Sequence, residues 1–211
     1  MWLITYLKLS SKTFLELRLR NLLKKTRRAN SKMSFIIQGD LLDGNWSHII
    51  QQCNCLVVYP HGLSKSIADR YYYANIYSLR MPQGSRNLAT EQTRGTPGTI
   101  VVAEPPAGSQ APIVFNFMAQ YEMGKPLKYQ RVHNEIVDNA QNREKWFVAC
   151  LLAMEMTGIK KYNIKVLAFP DHIGCGLAGG NWEHYKKMID DFAERIKSQG
   201  VIVCIILKDN P

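Results

Sequence analysis

The sequence predicts an α/β chain folded as a three-layer α/β/α sandwich around a mixed central sheet. Two observations carry that expectation. Short apolar runs alternate along the chain with segments whose apolar residues recur every three or four positions, and several of the runs are apolar throughout, as strands covered on both faces are. The composition agrees: 46% apolar and 21% charged residues over a length of 211 are enough for one domain with a core.

The elements follow in order. The run at 34–38 (SFIIQ) reads as a strand ended by Gly39 and Asp40, and the run at 53–59 (CNCLVVY) as a second ended by Pro60. Leu63, Ile67, Tyr71 and Ala74 have helical spacing. The runs at 99–103 (TIVVA) and 112–118 (PIVFNFM) read as buried strands, the second after a Pro/Gly-rich link at 104–109. A long helix is expected across roughly 130–157, with Trp146, Phe147, Cys150, Leu151 and Met154 on one side and Gly158 closing it. The run at 164–169 reads as a strand, the glycine-rich stretch at 174–180 as a loop, and Trp182, Tyr185, Ile189, Phe192 and Ile196 as the inward stripe of the last helix. The run at 201–207 (VIVCIIL) ends the fold as a strand.

Charge separates the chain into two parts, 1–32 and 33–211. The first 32 residues hold nine of the 27 Lys and Arg but only one of the 17 acids, Glu16. This acid-poor, Leu-rich stretch has the composition of an amphipathic transit peptide or a membrane-surface helix, and equally suits an upstream extension with no selected role. From Met33 onward, 18 basic residues face 16 acidic ones, so a pI of 9.4 does not imply a broad nucleic-acid surface. No stretch approaches the length of a membrane-spanning helix. Five cysteines scattered through apolar runs suit reduced thiols in a soluble, monomeric protein of the cytoplasm or nucleus, with organellar targeting by 1–32 left open.

Chemistry is expected where loops leave the carboxyl ends of the strands. The strongest candidate is the stretch Asp171-His172-Ile173-Gly174-Cys175-Gly176-Leu177-Ala178-Gly179-Gly180. Four glycines between a strand and a helix let backbone N–H groups approach a phosphate or diphosphate at the positive end of the following helix. The pattern is neither a Walker A loop nor GxGxxG.

Gly39-Asp40-Leu41 after the first strand, Gln51-Gln52-Cys53-Asn54-Cys55, His61-Gly62-Leu63-Ser64 followed by Ile67, Ala68 and Tyr71, and Ile173-Gly174-Cys175-Gly176-Leu177 before Trp182 together resemble a macrodomain. The branch most resembled holds ADP-ribose 1″-phosphate phosphatases and ADP-ribosyl-glutamate hydrolases. The resemblance spans about residues 34–208. It implies that ADP-ribose or a derivative is the ligand, carried on ADP-ribosylated protein or nucleic acid in one version, and it implies no cofactor. Asp40 with Leu41 would meet the adenine, Asn54 the distal ribose, and Gly62 with Leu63 one side of the diphosphate. The loop of Ile173, Gly174, Cys175, Gly176, Leu177 and Ala178 would meet the other side. Read without the family, Asp40 is equally a turn residue with an Asx hydrogen bond, and Asn54 a satisfied buried amide.

Departures from the family bear on mechanism. The phosphatases carry a His ahead of the Cys-Asn-Cys tract, at the position read here as Gln51, and the glutamate hydrolases an acid directly after GCGL, where Ala178 stands. Pro60 and His61 replace small residues of the first loop. The candidate proton-transfer groups are therefore His61 and Asp171, the latter beside His172. Gln120 and Gly124 are expected near the distal ribose. Arg70, Arg80, Arg86, Arg94 and Arg131 read as solvated charges. His48, His133 and His184 lack mutual ligand spacing, and Cys53 and Cys55 lack that of structural zinc, so no metal site is read.

Overall fold

A computed structural model describes residues 34–43, 45–132 and 135–208. The basic segment 1–32 and His133 lie outside the described residues.

Six strands form one sheet: β1 (Phe35–Gln38), β2 (His48–Asn54), β3 (Ile100–Ala103), β4 (Ile113–Gln120), β5 (Val166–Pro170) and β6 (Ile202–Leu207). Their order across the sheet is β1-β6-β5-β2-β4-β3. All neighbours run parallel except β3, which lies antiparallel to β4 at one edge, so the sheet is mixed as expected. β4, β5 and β6 are buried almost end to end, which explains their continuous apolar runs.

Among the described residues, the three α-helices of eight residues or more complete the frame: α1 (Leu63–Arg70), α2 (Ala140–Ala153) and α3 (Trp182–Ile196). On one face Phe147, Cys150 and Leu151 of α2 and Tyr185, Ile189, Phe192 and Ile196 of α3 pack with Phe115, Phe117, Phe169 and Val203 of the sheet. The opposite face is covered more thinly, by α1 against β2 and by 3-10 turns that bring Ile76 and Tyr77 against Cys53, Leu56 and Met118.

Three elements depart from expectation. The run at 55–59 is a turn, buried from Cys55 to Val58, and the strand ends at Asn54. The Asn54 side-chain oxygen accepts from the N–H of Leu56 and Val57 at 3.1 and 2.9 Å and so curls the chain out of the sheet. Arg80, expected in solvent, is buried and completes that turn by donating to the carbonyls of Val57 and Asn54 at 2.6 and 2.7 Å. Apolar content thus reported burial there, not conformation. Second, α2 starts only at Ala140, because the Asn139 side chain accepts from Asn142 N–H and caps it. Third, Gly158 does not close that helix: it sits in a π-helical turn, Met154–Gly158, packed under Met154, and the chain stays helical to Lys161.

Candidate functional site

The carboxyl ends of β2, β4 and β5 open into a cleft of about 600 Å³, within the range of small-molecule sites. Three chain segments wall it: the turn from His61 into α1, the segment from Gln120 to Tyr129 after β4, and the stretch from Pro170 to Ala178 after β5. Strand alternation sets its floor. Gln52 and Asn54, two residues apart on β2, both face the cleft. Gln51 points the other way, is buried, and donates to the Asn116 amide oxygen at 2.6 Å. The position singled out beside Cys-Asn-Cys therefore does not reach the cleft, and its neighbour Gln52 does.

The glycine loop is tightly made. Gly180 N–H donates to Gly174 C=O at 2.9 Å, Gly179 to Gly176 at 3.0 Å and Cys175 to His172 at 2.9 Å. A Cβ at Gly174, whose φ is +72°, would stand 2.6 Å from Gln52 Oε1 and 2.8 Å from the Tyr185 ring. A side chain is thus excluded on both conformational and steric grounds. The N–H groups of Leu177 and Ala178, between these bonds, take no part in them. Successive donors of this kind make an anion-binding concavity.

The Asn181 side chain caps α3 by accepting from Glu183 N–H, and neither Asn181 nor Trp182 lines the cleft. The helix whose first turn does line it is α1, through Gly62, Leu63 and Ser64.

Titratable groups crowd the walls. His172 Nδ1 lies 2.5 Å from Asp171 Oδ2, and its ring stacks on Trp182 with centroids 4.8 Å apart. These two contacts hold His172 at φ +53°, a left-handed conformation uncommon for a residue with a side chain. Across the cleft His61 is exposed, and its Nε2 sits 3.4 Å from Asn87 Nδ2. Lys125 and Lys128 stand on the third wall, the Lys125 stem lying against Gly179 and the Lys128 ammonium 5.2 Å from the Tyr129 ring centroid. Asp171 is the single carboxylate among the described lining residues, so cations outnumber anions there.

Of the residues singled out from sequence, the cleft gathers Asn54, His61, Gly62, Leu63, Asp171, Ile173, Gly174, Gly176, Leu177 and Ala178, together with Gln120 and Gly124. It does not gather Asp40, Leu41 or Cys175. Asp40 follows β1, accepts from Leu42 N–H at 2.8 Å in an Asx turn, and has its other oxygen 3.5 Å from Lys208 Nζ. Leu41 is buried beside it. The Cys175 thiol turns inward and donates to Ile173 C=O at 3.2 Å, and burial pushes its pKa up to about 11, so it is no ready nucleophile. Gln52, Tyr77, Met123, Lys125, Lys128 and Tyr129 were missed. Period two along β2 could have found Gln52, and the rule that sites follow strand ends could have found the lysines after β4.

No family model matches the chain, and no curated protein matches it in sequence. Solved structures do match. The macrodomain of Mycobacterium tuberculosis DarG is 18% identical, with 83% of this chain and 98% of that one covered and a TM-score of 0.58. The macrodomain of Thermus aquaticus DarG is also 18% identical over the same shares, with a TM-score of 0.59. The chain therefore has the macrodomain fold.

Proposed function

We propose that the cleft binds ADP-ribose and that the protein hydrolyses an ADP-ribose derivative, either a 1″-phosphate or an ADP-ribosyl linkage to protein or nucleic acid. One observation carries the binding half. The glycine loop, with the Leu177 and Ala178 N–H groups outside its internal bonds, lines the cleft opposite the first turn of α1, and Lys125 and Lys128 stand on the third wall, a setting for a diphosphate. The macrodomain fold supports the same ligand by analogy.

In this reading the diphosphate lies between Gly62 and Leu63 on one side and Gly174, Gly176, Leu177 and Ala178 on the other. The Asn54 carboxamide has its oxygen committed to the turn and offers only its NH2 group to the distal ribose. Asp40 meets the adenine amine beyond the cleft proper, with the one oxygen its Asx turn leaves. Binding belongs to the part from Met33 onward, and 1–32 is not needed for it.

Hydrolysis calls on the Asp171–His172 pair, in which Asp171 holds Nδ1 and leaves Nε2 to move a proton, and on His61 opposite. A second reading, a module that binds without turnover, is favoured by one observation. Ala178 supplies no acid, and its carbonyl is engaged by Arg143 at 3.0 Å.

Calorimetric titration with ADP-ribose tests the first half, and a flat titration sinks it. Turnover of ADP-ribose 1″-phosphate and of ADP-ribosylated protein tests the second: binding without turnover of either selects the module.

A further inference from the structure

Behind the cleft runs a buried chain of charges that the proposed chemistry does not use. Arg143 of α2 is 2% exposed, Asp138 6% and Glu122 3%. Arg143 grips Asp138 with two bonds of 2.6 Å, and its Nη1 donates at 2.7 Å to Gly124 C=O and at 3.0 Å to Ala178 C=O. One guanidinium thus fastens two of the three cleft walls. Asp138 Oδ2 also accepts from Glu122 N–H at 2.7 Å. The Glu122 carboxylate takes three bonds from Arg131, at 2.9, 3.0 and 2.7 Å, and Arg131 Nη1 donates at 2.8 Å to Asn87 C=O. Asn87 in turn accepts, through its side-chain oxygen, from the N–H groups of Val58 and Tyr59 at 2.9 and 3.1 Å, just ahead of His61 on the third wall.

We infer that Arg143 and Arg131 are positioning residues that set the three cleft walls in one register through this network. Ion pairs this deep add little net stability over apolar groups of the same size, because desolvation offsets their attraction. What they supply that apolar packing cannot is direction, since each guanidinium fork fixes the carbonyls it bonds. The start of the stretch expected as helix is irregular at its described residues 130–132 and 135–139, and it brings both Arg131 and Asp138 into the network.

Only the ligand arm of the test rests on ADP-ribose binding. Amide hydrogen exchange is measured on the full chain for wild type, for Arg131→Met, which removes the outer link, and for the double variant Arg143→Met/Asp138→Leu, which removes both buried charges at once. Each variant should raise exchange about tenfold or more both in the glycine loop at 174–180 and in the turn at 58–62, and leave β5 and β6 protected. Arg143→Lys keeps the charge but not the fork and should loosen the same two loops. Faster exchange only in the loop nearest the substitution, an even rise across β5 and β6, or wild-type protection in Arg143→Lys would each overturn the inference.

In the second arm Arg131→Met, which does not line the cleft, should weaken ADP-ribose about tenfold; loosened loops with unchanged affinity would overturn the positioning role. A wild type that fails to bind ADP-ribose refutes the proposed ligand and leaves the exchange result to decide the network.

Discussion

The two loops that face each other across the cleft are built on opposite principles. The loop at 174–180 is held by its own backbone and packed on Tyr185, so its shape belongs to the fold. The turn at 58–62 has an exposed imidazole at its tip and is held from outside, by Asn87 and by Ser64, whose hydroxyl lies 3.2 Å from His61 N and donates to His61 C=O at 2.8 Å. The first presents donors set by the loop's own backbone bonds and by one buried guanidinium, Arg143, at Ala178 C=O. The second presents a group whose position depends on a few remote contacts. A preformed wall opposite an adjustable one suits a site that must grip a constant diphosphate beside a variable leaving group.

That contrast can be broken or sharpened by substitution. The largest effect should come from Gly174→Val, which places a branched side chain at φ +72° against Gln52 and Tyr185. It should cost about 3 kcal/mol or more in denaturant unfolding, and a normal melting midpoint would show that the loop is not packed as described. Next is Gly176→Glu. Nothing lies within 4 Å of a Cβ there, so folding should be unchanged, while a carboxylate among the diphosphate donors should weaken ADP-ribose by a factor on the order of 100. Retained binding would remove the loop from the ligand site.

Turnover separates the two walls. Asp171→Asn and His61→Ala should each lower it about 10²-fold with little loss of affinity if Asp171 orients the proton-moving His172 and His61 moves a proton itself. An effect of Asp171→Asn alone would place the chemistry entirely on the preformed wall.

A control lies at the far end of β2. Burial against Phe115 holds the His48 pKa below 6.5 in the folded state. The unfolded chain therefore takes up the proton first as pH falls, and stability present at neutral pH is lost below about 6.5. His48→Phe should flatten that loss without changing ADP-ribose affinity; an unchanged pH profile would clear His48 of it. The smallest effect is expected of Asp40→Ala, about 1 kcal/mol in ADP-ribose affinity, because one of its oxygens is already committed to Leu42. Equal affinities would end the adenine assignment.

Much of this was legible in advance because it depends on local pattern. Apolar runs located five of the six strands within two residues, and the glycine spacing at 174–180 marked the tight loop. The strand at 48–54 and the turn after it were misplaced because HIIQQCN carries three polar amides, while the turn is apolar and buried. The Asn54 cap that starts the turn is local, but Arg80, which completes it, lies 23 residues beyond Val57, and no local window contains that contact. The same holds for the cleft. Its glycines announce themselves, whereas Gln52, the lysines and the charge network become neighbours only once β2, β4 and β5 lie side by side.

The sheet order has a consequence for how the chain is made. β1 pairs only with β6, Phe35 opposite Cys204 and Gln38 opposite Leu207, and Ser34 is tied to Asp190 of α3 at 3.0 and 2.6 Å. Of the six described strands, the first to be synthesised must wait for the last. Until then its edge is open and the Asp40 turn has nothing to lean on. A chain stalled after α3 should show β1 amides exchanging freely while those of β2 and β4, whose partners are already synthesised, are slow; protected β1 amides in that stalled chain would show that the edge does not depend on β6.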